Sequence, residues 1–421
     1  MNQQSLTEPS APQAEATTWV MRGTPAYRRI GFALFLAGFS TFSLLYCVQP
    51  LLPMFTEEFA IGPAASSLAL SLSTGLLAIS ILCAGALSQR VGRRGLMFVS
   101  MTLAAVFNLL AACAPTWHGL LVMRALGGLA LGGVPAVAMA YLAEEIHPAS
   151  LGLTMGLYVG GTAFGGMIGR VGMGMLGEAM SWRAALMAIS IVDLAAALAF
   201  VLMLPASRHF VASRNLGFSH HFTLWRRHLS NSALRKLFAV GCLVMGVFVT
   251  IYNYAGFRLA AAPFSLTPTQ TSLIFCAYLF GIVASSLAGA LADRFGRPPV
   301  LRIGILVTAA GLALTLAHTL LPVVAGIVLL TIGFFITHSV ASGWVGGIAE
   351  GAKGHASALY LLAYYLGSSV LGSIGGGFWQ MGGWNAVGGY AFVMLALCIG
   401  LALSLRGARA ACGRPWMKTS T

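Results

Sequence analysis

Long apolar runs separated by short polar links dominate the chain. The first uncharged run extends from Ile30 to Met54. Further runs cover residues 66–88, 95–114, 119–143, 151–176, 183–204, 237–260, 269–291, 300–318, 321–346, 356–380 and 384–405. A helix needs about 20 apolar residues to cross the hydrocarbon layer of a membrane. Since the runs are continuous rather than alternating, they predict twelve membrane-spanning helices and exclude a transmembrane barrel.

Composition agrees with a lipid environment. Hydrophobic residues make up 58% of the 421 residues and charged residues only 8%, with a mean hydropathy of +0.85. Soluble proteins carry about 25% charged residues. We therefore expect an all-α integral membrane protein whose surface is covered by membrane lipids.

The positive charges are unevenly distributed. Apart from Arg124, Arg170, Arg183 and Arg258, every Lys and Arg lies in a terminal tail, in one set of alternate links or, for Arg302, at the start of the run that follows such a link. The positive-inside rule then predicts that both termini are cytoplasmic. The formal net charge of +14 does not indicate nucleic acid binding, because the cations form short clusters rather than a basic stripe.

One long polar link divides the chain into two parts of six spans each. The predicted units are a disordered cytoplasmic tail (1–29), an N-terminal bundle (30–204), a central cytoplasmic loop (205–236), a C-terminal bundle (237–405) and a cytoplasmic tail (406–421). His220 and His221 in the central loop could suggest a metal site, but exposed histidines in a basic loop are commoner. The cysteines are isolated in the sequence, and we predict neither a metal nor a cofactor.

The two parts share an internal repeat. The passage "GALSQRVGRRG" begins at Gly85 and the similar "GALADRFGRPP" begins at Gly289. Tyr46 and Tyr252 are 206 positions apart, and Tyr158 and Tyr364 have the same separation. Parallel six-span repeats are a transporter architecture with a binding site between the halves. We therefore predict two six-helix bundles related by a pseudo-twofold axis.

These passages resemble the loop signature of the major facilitator superfamily, and the resemblance extends over nearly the whole chain. The signature positions are Gly289, Asp293, Arg294, Gly296 and Arg297, with Gly85, Gln89, Arg90, Gly92, Arg93 and Arg94 in the first copy. Fifth-span positions Gly152, Gly161, Gly165, Gly166 and Gly169 resemble the family's antiporter motif, a helix-packing motif, although Gly166 replaces its Pro and Arg170 its last Gly. The passage "YCVQPLLP" from Tyr46 resembles the first span of bacterial inner-membrane exporters, which implies a bacterial inner membrane.

The resemblance also implies a cytoplasmic gate. The acidic signature position would face a helix N-terminus of the opposite half, where the helix dipole stabilises an anion. By the repeat, Asp293 would face the fifth span near Ser150, and the uncharged Gln89 would form a weaker latch near Ser357. Glu144 or Glu145 would pair with Arg93 or Arg94, and Glu350 with Arg294 or Arg297. The alternative is that these arginines serve only as topology signals.

Polar aromatic residues are candidates for a substrate surface. Tyr46 and Gln49 are three positions apart and share a helix face. The other members of the predicted set are Asn253, Tyr158, Tyr252, Tyr364 and Tyr365. Each tyrosine alone could be packing or an interface anchor, but the set falls in the spans that line the cavity of the resembled family.

Two ionisable residues within the spans have two open interpretations each, because charges in hydrocarbon are costly. Arg124 could contact substrate or modulate proton transfer, or it could bind backbone carbonyls freed near Pro50. Asp193 is a proton-carrier candidate, or it could make a structural hydrogen bond within a scaffold helix.

The combined pattern predicts a secondary active transporter, expected to be a monomer, that exports a small organic solute by proton antiport. A proton-coupled importer is one alternative, and a channel or sensor is another. No nucleotide-binding loop of the GxxxxGK[ST] type is present in the sequence, and enzyme activity is not expected. Cations outnumber anions within the spans, which favours neutral or anionic substrates over cationic ones.

Overall fold

The computed structural model describes residues 19–207, 218–349 and 352–405, without the side chains of residues 85, 86, 89, 90 and 218–220. Within these ranges the chain is helical, and eleven helical stretches are long and apolar enough to cross a membrane. The last stretch, Lys353–Ser404, has 52 residues. At about 1.5 Å per residue it would be about 78 Å long, more than twice a hydrocarbon core of about 30 Å. Its backbone is non-helical at Gly382 and Gly383, so it contains two spans, and the total is the twelve predicted.

The N-terminal half contains the first six spans. In chain order they are Pro25–Tyr46 with Leu52–Glu58, Pro63–Val91, Arg93–Cys113, Trp117–Leu131 with Pro135–Glu145, Pro148–Ala179 and Trp182–Met203. The first span is interrupted after Tyr46 by a turn and a 3-10 segment, Gln49–Leu51. Pro50 and Pro53 explain this interruption, because neither can donate the hydrogen bond that would continue the helix.

The C-terminal half contains the remaining six spans. They are Ser232–Ala260, Pro268–Ser272 with Tyr278–Phe295, Arg297–Leu314, Leu320–Ile348, Lys353–Leu366 leading through a π-helical turn into Gly372–Ser404, and the part of that last helix beyond the break at Gly383. The eighth span contains a 3-10 segment, Leu273–Ala277.

The two halves pack their helices in the same order. In the first half the first span packs on the fifth, the second on the fourth and the third on the sixth; in the second half the seventh packs on the eleventh, the eighth on the tenth and the ninth on the twelfth. Between the halves, the second span contacts the eleventh and the fifth contacts the eighth. The repeat in the sequence is therefore a repeat in the packing.

The duplicated loops have the same backbone conformation. Gly92 has φ 95° and ψ 155°, and Gly296 has φ 86° and ψ 153°. L-residues rarely adopt such positive φ values, so glycine is required at both turns. These two loops, the start of the first span at Pro25 and the end of the sixth at Met203 lie at one end of the molecule. We call it the loop-signature end, and the other the opposite end.

The segments outside the bundles differ from the sequence prediction in two places. The first helix begins at Pro25, capped by Thr24, and Val20 pairs with Ile146, so residues 19–29 are ordered rather than part of a disordered tail. The central loop contains a helix, Phe218–Ser230, with Arg227 and His228 in its last turn. The tail 406–421 lies outside the described residues.

Candidate functional site

The first and fifth spans approach each other through glycine. A Cβ atom on Gly161 would lie 2.4 Å from the carbonyl oxygen of Phe35, and one on Gly165 would lie 2.1 Å from that of Phe39. Gly169 similarly faces the backbone of Ser43. Helices in lipid associate closely where such small residues remove the steric barrier. This contact places the outer part of the fifth span directly beside the break in the first.

Two other glycines of the predicted packing motif do not have this role in the structure. A Cβ atom on Gly152 would meet nothing within 4 Å. A Cβ atom on Gly166 would lie 3.1 Å from Arg170 Nη1, and no neighbouring backbone is as near. Gly289, a signature position at a span end, also has open space around it. The expectation that Gly152 belongs to a helix-packing contact is therefore wrong for this conformation.

A hydrogen-bonded relay crosses the interface between the halves. The guanidinium of Arg170 donates from Nε to Gln49 Oε1 at 2.6 Å and from Nη1 to Gly166 O at 2.6 Å. Gln49 Nε2 in turn donates to Asn253 Oδ1 of the seventh span at 2.7 Å. All three side chains are at most 3% exposed. Gln49 and Asn253, both predicted from the sequence, thus bond directly to each other. Arg170, which was not in the predicted set, bonds to Gln49.

Aromatic rings from both halves surround the same arginine. The Arg170 guanidinium carbon lies 4.0 Å from the ring centre of Tyr46, 4.9 Å from that of Tyr278 and 5.1 Å from that of Phe275. Such distances allow cation–π attraction. Sequence reasoning missed Phe275 and Tyr278, since their approach depends on the 3-10 segment in the eighth span, for which the apolar pattern carries no signal.

Three of the remaining predicted tyrosines lie around this centre. Tyr252 stacks on Phe275 at 5.1 Å, and its hydroxyl bonds to Thr331 at 2.7 Å. Tyr364 is half-buried, and its ring lies 5.1 Å from that of Tyr365 and 4.6 Å from His338. Tyr158, the fourth, is buried in a separate hydrophobic cluster of the N-terminal half, twelve positions before Arg170 on the fifth span. The structure therefore brings the predicted tyrosines other than Tyr158 to the junction of the halves.

Arg124 lies apart from this centre. It donates to the carbonyl oxygens of Leu44 at 2.9 Å, Leu45 at 2.7 Å and Ala69 at 3.1 Å, and to Asn108 Oδ1 at 2.8 Å. The carbonyls of Leu44 and Leu45 are those whose helical partners are lost at the break after Tyr46. The second predicted role, binding carbonyls freed near Pro50, is therefore the one that the structure displays.

Asp193 is fully buried between the sixth and first spans. Ser43 Oγ donates to its Oδ2 atom at 3.1 Å. Its Oδ1 atom has no hydrogen-bond partner among the described residues, and neither does the nearby Ser40 hydroxyl. Asp193 therefore makes a structural hydrogen bond, but to the neighbouring first span rather than within its own helix, and its Oδ1 atom is left without a described partner.

Among the described residues, the loop-signature end contains one strong ion pair. Arg93 bonds through Nε and Nη2 to both carboxylate oxygens of Glu144, at 3.1 and 2.5 Å, and through Nη1 to Ser88 at 2.5 Å. Arg94 instead donates to the carbonyl of Val201. Arg297, the repeat counterpart of Arg93, lies against Gly347 in the last turn of the tenth span. Glu350 and the side chains of Gln89 and Arg90 lie outside what the structure describes, as do the contacts of Gly85.

The Asp293 latch is not formed. Asp293 is exposed, and no described residue makes a hydrogen bond or ion pair with it. Arg294 is also exposed and lies over its own neighbour Phe295. Ser150, the expected counterpart of Asp293, is buried within the N-terminal half. Its hydroxyl oxygen accepts a hydrogen bond from the backbone nitrogen of Arg22. The expected contact between Asp293 and the start of the fifth span is therefore absent from this conformation.

The described hydrogen bonds that join the halves lie near the middle or toward the opposite end. Besides Gln49–Asn253, they are Ser373–Ser71 at 2.6 Å, Ser369–Ser71 O at 2.6 Å, Ser67–Ser373 at 3.5 Å, Thr269 N–Glu178 at 2.7 Å and Ser272–Val171 O at 3.5 Å. The described hydrogen bonds between the halves therefore close the opposite end, whereas Asp293 at the loop-signature end makes no described bond to the other half.

Comparisons with known proteins agree with this architecture. The model of the Major Facilitator Superfamily matches residues 34–261 and 251–413. The inner membrane transport protein YnfM of Escherichia coli is 45% identical, over 96% of this chain and 95% of its own length. The MFS-type transporter YybF of Bacillus subtilis is 44% identical, over 91% and 95%. Two bundles of six spans around a shared polar centre define a transporter fold, and the chain belongs to the major facilitator superfamily.

Solved structures have the same fold at low sequence identity. A bacterial homologue of the human lysosomal transporter Spinster, in an inward-facing and occupied conformation, has a TM-score of 0.72 at 13% identity, covering 90% of this chain and 96% of its own. A variant of the nucleoside transporter NupG has a TM-score of 0.73 at 14% identity, covering 90% and 99%. The predicted fold class is confirmed.

Proposed function

We propose that the protein is a secondary active transporter that exports a small organic solute in exchange for protons. The observation that carries this proposal is the interface itself. A polar and aromatic centre is shared by two bundles that close at one end, while the acidic latch at the other end is unmade. Alternating access needs two such closures, each formed in a different state.

The orientation of the molecule follows from its charges. The loop-signature end carries the arginine clusters, and the positive-inside rule supports a cytoplasmic position for this end and for both termini; our proposal places the protein in a bacterial inner membrane. With this orientation the structure is inward-facing, with its closed end toward the outside. Substrate would enter the centre from the cytoplasm, as export requires.

Asp193 is the candidate for the proton. It is the carboxyl group buried most deeply among the described spans, and its Oδ1 atom lacks a partner. A proton on that oxygen would remove the charge and supply a donor, which a buried carboxyl group otherwise lacks. Ser43 links this group to the first span, which also carries Gln49 of the central relay. Protonation could therefore be coupled to the packing of the span that lines the interface.

The test is transport by the purified full chain in liposomes that contain a pH-sensitive dye. Radiolabelled sugars and carboxylates supply the panel. A carrier shows trans-stimulation, in which unlabelled solute on one side accelerates the exit of labelled solute from the other. Antiport requires that protons move against the solute, so solute movement should shift the internal pH accordingly.

Two outcomes would oppose the proposal. Protons that accompany the solute would indicate an importer, and flux without trans-stimulation would indicate a channel. Asp193→Asn should abolish transport driven by a pH gradient while retaining solute exchange. Glu57→Gln, at an exposed acid on the opposite end, is the matched control and should leave both activities unchanged.

A further inference from the structure

Arg170 carries a buried positive charge that no acid in the described residues neutralises. The side chain is 1% exposed, and the two ion pairs of the described structure involve other arginines. Arginine keeps its charge throughout the physiological pH range. An isolated charge inside a protein is costly unless something compensates it. The aromatic rings around Arg170 supply part of that compensation, but no counter-ion.

The relay has a defined direction, because arginine can only donate. Arg170 donates a hydrogen bond to Gln49 Oε1, so the Gln49 amide nitrogen faces Asn253 and donates to its Oδ1 atom. The amide nitrogen of Asn253 is then left as a buried donor without a partner. Arg170 Nη2 has no acceptor among the described residues either. The centre therefore contains two unused donors and a net positive charge.

The site is asymmetric between the halves. Position 376, which is 206 residues after Arg170, is a glycine, and a Cβ there would lie 2.4 Å from the Cα of Ala64. The C-terminal half thus uses this position for close helix packing, while the N-terminal half places a cation there. One centre with one cation fits a ligand with one negative charge.

We propose that Arg170 and Asn253 bind the carboxylate of a small, flat monoanionic substrate, with the ligand body lying among Tyr46, Phe275 and Tyr278. The inference rests on the proposed transport function and narrows its substrate class. A carboxylate has the acceptor oxygens that both unused donors require, and arginine matches its planar geometry. The aromatic rings provide apolar surface for a flat ligand.

Three probes of nearly the same shape but different charge test the proposal: benzoate, benzamide and benzamidinium. Their affinities for the purified full chain are measured by isothermal titration calorimetry at constant ionic strength. We expect benzoate to bind at least about tenfold more tightly than benzamide, because charge-assisted hydrogen bonds to the carboxylate add this much affinity. Benzamidinium should bind more weakly than either. Benzoate that binds no more tightly than benzamide overturns the proposal.

Variants locate the effect. Arg170→Gln should remove the preference for benzoate over benzamide. Arg258→Gln is the matched control, because Arg258 also lies over aromatic rings but already donates to the carbonyls of Thr315 and Ala317. It should keep the preference, and its loss there would contradict a local role of Arg170.

If Arg170→Gln does not fold, Asn253→Asp serves instead. It keeps the size of the side chain but adds a carboxylate to the centre, joined to Arg170 through Gln49, so benzoate should lose its advantage while benzamide binding changes little. An unchanged preference would overturn the proposal. Trans-stimulated flux without a preference for benzoate would support the transport function and reject only the anion site. Selective benzoate binding without trans-stimulation would support the anion site and reject the transport function.

Discussion

Gln49 of the first span donates a hydrogen bond to Asn253 of the seventh, 2.7 Å away, and so ties the two halves together at the level of the helix break. Both residues are buried. Because the bond joins two bodies that must separate when the opposite end opens, it belongs to the closed state of that end. Its strength should influence how often the molecule opens there.

Gln49→Glu is expected to stabilise the closed state. The new carboxylate would pair with Arg170 and, after rotation of the Asn253 amide, accept from its nitrogen. Charge-assisted hydrogen bonds are stronger than neutral ones, and we expect a gain of about 1–2 kcal/mol. The measurements are thermal unfolding in detergent and distances between spin labels at Glu57 and Gln270 on the opposite end. Gln49→Leu is the contrasting variant and should lower the unfolding temperature and lengthen the distance between the spin labels. Equal effects of the two variants would refute the role of the bond.

Asp293→Asn should leave the conformation described here intact, since Asp293 is exposed and unbonded in it. The same change should weaken the state in which the loop-signature end is closed, because an anion at a helix N-terminus contributes about 0.3–1 kcal/mol when exposed. Spin labels across the loop-signature end measure the populations. Gln89→Asp restores the missing acid in the first loop and should shift the populations in the opposite direction. Unchanged populations in both variants would exclude the latch.

The Arg93–Glu144 pair should contribute more to stability than the other described ion pair. Its two side chains are 10% and 28% exposed and bond in two places, whereas Arg183 and Glu58 are 30% and 44% exposed and 3.4 Å apart. We expect Glu144→Gln to cost about 1–3 kcal/mol and Glu58→Gln about 0–1 kcal/mol. Unfolding free energies in mixed detergent micelles test the difference, and a larger loss for Glu58→Gln would contradict it.

Gly165→Ala should disturb the contact between the first and fifth spans. The added methyl group would lie 2.1 Å from the carbonyl oxygen of Phe39, and backbone atoms must move to admit it. Overpacking of this kind costs about 1–3 kcal/mol. Gly160→Ala is the matched control, because a Cβ there meets nothing within 4 Å. Apparent melting temperatures of the two variants should therefore separate, and similar values would count against close packing at Gly165.

Local patterns in the sequence were sufficient for the span count and the repeat. Hydropathy depends only on which residues follow one another, so it predicted the twelve spans even where Lys353–Ser404 contains two of them. Gly92 and Gly296 stand at matching positions of the duplicated passages, and the tight turn that needs glycine there is a local feature of the chain. The pairing of Arg93 with Glu144 was among the predicted combinations, since acids and arginines recur at matching positions in both halves.

Tertiary structure decided which side chains meet. The positions of Gln49 and Asn253 indicated candidates, but the relay through Arg170 depends on how far the first span turns after its break and how closely the fifth span approaches it. Phe275 and Tyr278 reach the same centre through a 3-10 segment, and Arg124 binds the carbonyls that the break frees. Helix rotation and contact distance arise from packing between distant segments, so apolar periodicity along the chain cannot specify them. The same packing determines which end is closed, because the hydrogen bonds that close it join residues from opposite halves of the sequence.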